Sequence, residues 1–82
     1  MEEEIGKVIH YYDRAGVAVV RLSGALAVGD KIKIVKADRE FGDTISSMQV
    51  DHKNVSAGQA GEEVAIKISE PTKEGARVIK LA

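Results

Sequence analysis

The sequence predicts an all-β domain, a small six-stranded antiparallel β-barrel, and three observations carry that reading. Val and Ile together number 18 against 3 Leu, and β-branched side chains are stiff at χ1 and pack well on a pleated surface. Apolar and polar residues alternate with period two in Lys31–Lys36 and again around Val64, Ile66 and Ile68, the pattern of a half-buried strand. Gly and polar turn clusters punctuate the chain at short intervals, and no stretch carries the period of an amphipathic helix. Short strands joined by frequent turns close into a barrel, which also removes exposed sheet edges.

Residues 1–4 (Met-Glu-Glu-Glu) read as an acidic tail and residues 5–82 as one domain. Ile5–Tyr12 is the first strand. Strict alternation puts Gly6, Val8, His10 and Tyr12 on one face and Ile5, Lys7, Ile9 and Tyr11 on the other. Asp13–Gly16 is a turn, with Gly16 free to take positive φ. Val17–Leu22 is nearly continuous in apolar character and reads as a central strand. Ser23-Gly24 breaks it, and Ala25–Val28 is a short continuation. Gly29-Asp30 reads as a tight hairpin connection into Lys31–Lys36, where Ile32 and Ile34 point one way and Lys31 and Lys33 the other. Residues 37–43 are polar apart from Phe41 and read as a loop. In Thr44–His52 the apolar residues Ile45, Met48 and Val50 cannot share a face under strict alternation. One extra residue near Ser46-Ser47, a β-bulge, would repair the register. Residues 54–61 read as a loop, Val64–Ile68 as a strand, Glu70–Gly75 as the last loop and Arg77–Leu81 as the closing strand. The expected core is Val8, Val20, Ile32, Ile34, Val64 and Ile66.

Composition narrows the chemistry. The chain has no Cys, so it offers no disulfide, thiolate metal site or cysteine nucleophile, which fits a reducing compartment. The N-terminus lacks the basic start and apolar run of a secretory signal, and no segment reaches the roughly 20 apolar residues that span a bilayer. The expectation is a soluble cytoplasmic protein with no membrane contact. Twelve basic and 13 acidic residues give a net charge of −1. Affinity for nucleic acid comes largely from phosphate neutralisation, so strong sequence-independent binding is disfavoured.

Candidate site residues are few. His10 and His52 are the only histidines, and with no third ligand in view they predict no metal site. No serine lies in a nucleophile-elbow motif, and Glu62-Glu63 reads as a solvated turn. The expectation is a protein that is not an enzyme. Tyr11, Tyr12 and Arg14 form the most chemically interesting cluster: aromatics on a β-surface stack bases and an adjacent Arg binds phosphate. The plainer alternative is that one Tyr caps the core and the other covers a neighbouring strand. Lys31 and Lys33 share a face and could form a basic stripe; the alternative is a solvated face that keeps the sheet soluble.

Three runs, Gly6-Lys7-Val8-Ile9, Gly16-Val17-Ala18-Val19-Val20 and Gly24-Ala25-Leu26-Ala27-Val28-Gly29-Asp30, resemble the second-domain β-barrel of translational GTPases such as elongation factor Tu and initiation factor two. Ile45–Val50, Ala60–Ile66 and Glu74–Val78 extend the likeness over residues 5–81. Gly6–Tyr12, Gly16–Val20 and Ser47–Lys53 look closer still to short stand-alone translation elongation factor-like proteins. A related module is found at the C-terminus of some collagenase-like peptidases. The first resemblance implies a non-catalytic binding module in protein biosynthesis, touching RNA, the ribosome or a translation factor. The likeness to the peptidase module implies, as the alternative, a protein-interaction accessory domain. No Gly-x-x-x-x-Gly-Lys-Ser/Thr run is present, so the resemblance implies no GTPase domain, no GTP binding and no cofactor. The expected partner is a protein, or RNA in a weak contact centred on Tyr11, Tyr12 and Arg14 with help from Lys31 and Lys33.

Overall fold

Wherever β-branched residues alternate with polar ones, the chain is extended and paired. A computed structural model describes residues 2–81. It contains strands β1 (Glu2–Tyr12), β2 (Val17–Leu22), β3 (Leu26–Ala27), β4 (Lys31–Lys36), β5 (Arg39–Thr44), β6 (Met48–Val50), β7 (Lys53–Asn54), β8 (Ala57–Gly58), β9 (Glu63–Lys67) and β10 (Arg77–Leu81), and no helix among the described residues. The all-β class is as the sequence predicts.

The closed six-stranded barrel is corrected. Eight strands form one open antiparallel sheet in the order β5-β4-β10-β1-β2-β9-β6-β7, and β3 and β8 form a separate two-stranded sheet. Closure fails because the chain leaves β5 sideways. The Ile45 N–H donates to the Asp30 carbonyl (2.9 Å), and the Ile45 carbonyl accepts from the Gly29 N–H (2.8 Å). Those bonds tie the end of β5 to the corner before β4 instead of to β6. Ser46-Ser47 then carry the chain across to β6, which pairs with β9. Ile45 and Met48 are both buried because they belong to different elements, not to one bulged strand.

The irregularities lie in β1. Its pairing slips between Glu4 and Gly6 against β10 and between Val8 and His10 against β2. Each slip is a β-bulge that reverses the inward–outward parity of the residues after it. Ile5 and Gly6 are therefore buried in succession, Tyr11 packs against the core, and His10 and Tyr12 turn outward. Strict alternation would instead place Val8, His10 and Tyr12 on one face. Glu2–Glu4 are the first residues of β1 and pair with Ile79–Leu81, so the tail expected over 1–4 is strand wherever it is described.

Two expected loops also hold strands. Within 37–43, β5 pairs residue for residue with β4 through the two-residue turn Ala37-Asp38. An edge strand needs few inward apolar groups, and Phe41 alone suffices here. Within 54–61, β8 pairs with β3. The Gly29-Asp30 turn is no hairpin, since β3 and β4 have different partners. The Asp30 N–H bonds the Ala27 carbonyl (3.1 Å), and the Asp30 carboxylate accepts the Ala27 N–H (2.9 Å). Gly29 has φ of 96° at the position where a type II turn demands positive φ.

One core unites the two sheets. Val8, Val20, Ile32, Ile34, Val64 and Ile66 are all buried in it, with Ile5, Ala18, Leu22, Leu26, Ile45, Met48, Ile68, Ala76 and Val78. No polar side chain is buried among the described residues, so the interior is held by packing and ladder hydrogen bonds alone.

Candidate functional site

The residues singled out from the sequence do not converge. Tyr11 is half-buried against the core, so its ring face is not free for a base. Tyr12 is 53% exposed, and Arg14 is exposed in the turn after it. Lys31 and Lys33 lie in β4, across β10 from β1. Lys33 is in register with Ile79, which is opposite Glu4. Tyr11 sits seven positions further along β1, roughly 20 Å away at strand rise. The two halves of the expected cluster thus occupy opposite ends of the sheet.

Lys33 is also engaged. Its Nζ donates to Glu2 Oε1 at 2.9 Å and lies 3.6 Å from Glu40 Oε2. The hydrogen bond to Glu2 raises its pKa above the ordinary lysine value, with partial burial opposing and the charges of Glu2 and Glu40 adding. Lys33 therefore links β1, β4 and β5 instead of waiting for a phosphate.

The outer face of β1, β2 and β9 carries a different surface. Tyr12 and His10 are i and i+2 in a strand, so they share a face. Their ring centroids are 4.2 Å apart with planes inclined at 59°, a tilted aromatic pair. Register places Tyr12 opposite Val17 and His10 opposite Val19, and Val19 opposite Ala65 of β9. Val17, Val19 and Ala65 are half-buried, and Ile9, at the second bulge, is 38% exposed. The result is an aromatic and aliphatic patch with a charged margin. Glu74 lies 3.5 Å from His10 Nδ1, and the Arg21–Glu63 pair (3.9 Å) closes another side. Alternation already put His10 and Tyr12 on one face, but it put Val8 there too; the bulge after Val8, invisible in the sequence, is what turns the pair outward.

A second concavity lies under the tip of the β4–β5 hairpin. It encloses about 490 Å³ between Ile34, Phe41, Lys36 and Arg39 on one side and Pro71 and Lys73 on the other. Its β5 wall was missed because residues 37–43 read as loop. No apolar alternation marks Arg39–Thr44, where Phe41 is the one apolar side chain. His52 sits exposed in the turn between β6 and β7, remote from His10. Among the described residues no group of three His, Cys, Asp or Glu is placed to hold a metal ion, and no helix is long and apolar enough to cross a membrane.

Comparison with known proteins bears on the fold and on function. No protein-family model matches the chain. An uncharacterized protease of Methanocaldococcus jannaschii is 37% identical over 79 residues. That match takes in 95% of this chain, which spans 19% of the length of the protease. The crystal structure of the C-terminal domain of a Geobacillus thermoleovorans protein described as a U32 peptidase superposes with a TM-score of 0.91 at 19% identity. It covers 98% of this chain and 93% of that domain. The selenomethionine form of the same domain gives 0.88 at 18% identity, with coverages of 96% and 99%. These matches correct the likeness to translation elongation factors and the place in protein biosynthesis inferred from it. The runs that suggested a translation barrel are short turn-and-strand signals, whereas the peptidase domain matches throughout. The chain has the fold of the C-terminal domain of a U32 peptidase.

Proposed function

We propose that this chain is a non-catalytic protein-interaction module of the kind carried at the C-terminus of U32 peptidases, with the Tyr12–His10–Val17–Val19 face as its contact surface. The observation that carries the reading is the end-to-end match to an isolated C-terminal domain. A unit matched as a domain, making up about a fifth of a protease, fits a role in holding or presenting something to a catalytic body elsewhere. The site chemistry agrees. His10 faces Tyr12 and Glu74 on an open surface, and two concavities lie apart from that pair, a slot beside Leu81 and the groove under the β4–β5 tip. Neither contains a histidine.

The test is affinity capture with the tagged chain from nuclease-treated lysate of the source organism, beside a Tyr12→Asp variant of confirmed fold. The expected result is a protein, identified by mass spectrometry, that is retained after nuclease and lost with Tyr12→Asp. Capture that vanishes with nuclease overturns the reading, as does peptide hydrolysis by the purified chain alone.

A further inference from the structure

We infer that the groove beneath the β4–β5 hairpin is a binding site for an extended polypeptide segment, taken up by strand addition to the free edge of β5. This rests on the reading of the chain as a protein-interaction module and names a second surface, with a sequence preference of its own.

The backbone supplies the first argument. Lys36 and Arg39 close a two-residue hairpin turn, and the pairs 34/41 and 32/43 lie in register beyond it. In such a hairpin the closing pair exchanges both hydrogen bonds, and bonded and non-bonded pairs then alternate. Arg39, Phe41 and Asp43 therefore bond inward to β4. The N–H and C=O groups of Glu40 and Gly42 point away from it, along the sheet edge. The lower end of that edge is closed: the Asp43 carboxylate accepts the Thr44 N–H (2.8 Å) and the Ser69 N–H (2.6 Å). Arg39, Glu40 and Phe41 line the groove, and Gly42, next along the same edge, lines the slot beside Leu81. Two donors and two acceptors in a row are the template for an added strand.

The side chains supply the second. Alternation puts Arg39 and Phe41 on the inner face of β5 and Lys36 and Ile34 on the inner face of β4. Ile34 and half-buried Phe41 form an apolar floor opposite Pro71. One step toward the turn, Lys36, Arg39 and Lys73 converge on the rim. None of the three has a carboxylate within ion-pair distance among the described residues. The lining also holds Asp38, Glu40 and Glu70, but Glu40 is engaged by Lys33. With Glu40 drawn to Lys33, three cations face two carboxylates, an excess of one positive charge. An added strand sends residues i and i+2 to the same face. The occupant that fits is an extended segment with an acidic residue two positions from an aliphatic one. The carboxylate meets Lys36, Arg39 and Lys73, and the aliphatic side chain lies against Phe41 and Pro71. Main-chain bonds give the affinity and the paired side chains the selectivity.

The experiment is a titration of the labelled chain with acetyl-Ser-Thr-Glu-Thr-Leu-Thr-Ser-amide, followed by amide chemical shifts. The expected result is saturable shifts at Glu40, Gly42 and Phe41 with slowed exchange of the Glu40 and Gly42 amides. Exchanging Glu for Lys in the peptide, or making Arg39→Glu in the protein, should weaken binding at least about fivefold. Gly42→Pro removes an outward N–H that an edge strand can spare, and should abolish the shifts in a protein whose spectrum is otherwise native. Arg39→Glu keeps the test decisive if Gly42→Pro does not fold. No shift at residues 39–42 at millimolar peptide overturns the inference. Shifts confined to His10, Tyr12 and Val19 also overturn it while leaving the interaction-module reading standing. Equal binding of the Glu and Lys peptides overturns the sequence preference.

Discussion

Single atoms decide the tightest positions in this core. A Cβ on Gly58 would lie 2.8 Å from both Leu22 Cδ1 and Val64 Cγ1. A Cβ on Gly6 would lie 2.7 Å from Val20 Cγ1 and 2.8 Å from the Arg21 carbonyl oxygen. Side-chain ends yield by rotamer change, whereas a carbonyl fixed in a ladder does not. Both Gly→Ala changes should destabilise by about 1–3 kcal/mol, with Gly6→Ala the worse of the two in urea unfolding; the reverse order would mean that β2 shifts freely. The opposite sign is expected at Ala37. Its φ is 55°, at the first of two turn positions, where a Cβ is strained and glycine is not. Ala37→Gly should raise stability by about 1 kcal/mol, measured as a higher thermal midpoint. Core residues were legible in the sequence because Ile32, Ile34, Val64 and Ile66 alternate without interruption. Ala37 was not, because nothing in an alanine announces left-handed backbone.

At the level of strands, what could be read depended on burial. Val17–Leu22, Lys31–Lys36 and Arg77–Leu81 are bounded in the structure where the apolar pattern bounded them. The edge strands β5 and β7 escaped because one side of each is free and demands little apolar content. Hairpin β6–β7 shows the cost of that freedom. Asp51 and His52 both hold positive φ, 52° and 64°, between the opposed residues Val50 and Lys53. Two positive-φ positions make a type I′ turn, for which Asn-Gly is the favoured pair. Replacing both, Asp51→Asn with His52→Gly, should stabilise the protein by on the order of 1 kcal/mol. The check is amide exchange at Gln49 and Asn54, which face each other across this hairpin; unchanged protection there would show that the turn carries no strain.

Across the molecule, function was less legible than fold. Tyr11, Tyr12 and Arg14 are close in sequence, but neighbours in a strand face opposite ways, and the bulge in β1 sets Tyr11 against the core and Tyr12 in the open patch. The Lys31–Lys33 stripe assumed that neighbours in sequence carry no counter-charges, yet Glu2 and Glu40 arrive from β1 and β5. That three-strand link has a pH signature. The pKa of Lys33 is higher in the folded chain than its ordinary 10.5. Its contribution is therefore complete below that value and is lost as pH rises through the folded pKa. Stability should drop on the alkaline side, above about pH 10.5, and Lys33→Met should flatten the drop in denaturant titrations. An exposed pair makes this effect small and salt-sensitive. The position of β10 has a larger consequence, in time. This strand lies between β1 and β4, with Leu81 against Glu2. Without it the sheet falls into two pieces, β5-β4 and β1-β2-β9-β6-β7. Each piece can form from nearer contacts, but the molecule is complete only when a strand from the far end of the chain wedges between two waiting edges. Closure over so many residues is slow, on the order of milliseconds to seconds. Until it happens, both edges are open to any other strand nearby, so the period of greatest danger to this protein is the interval before its last strand is seated.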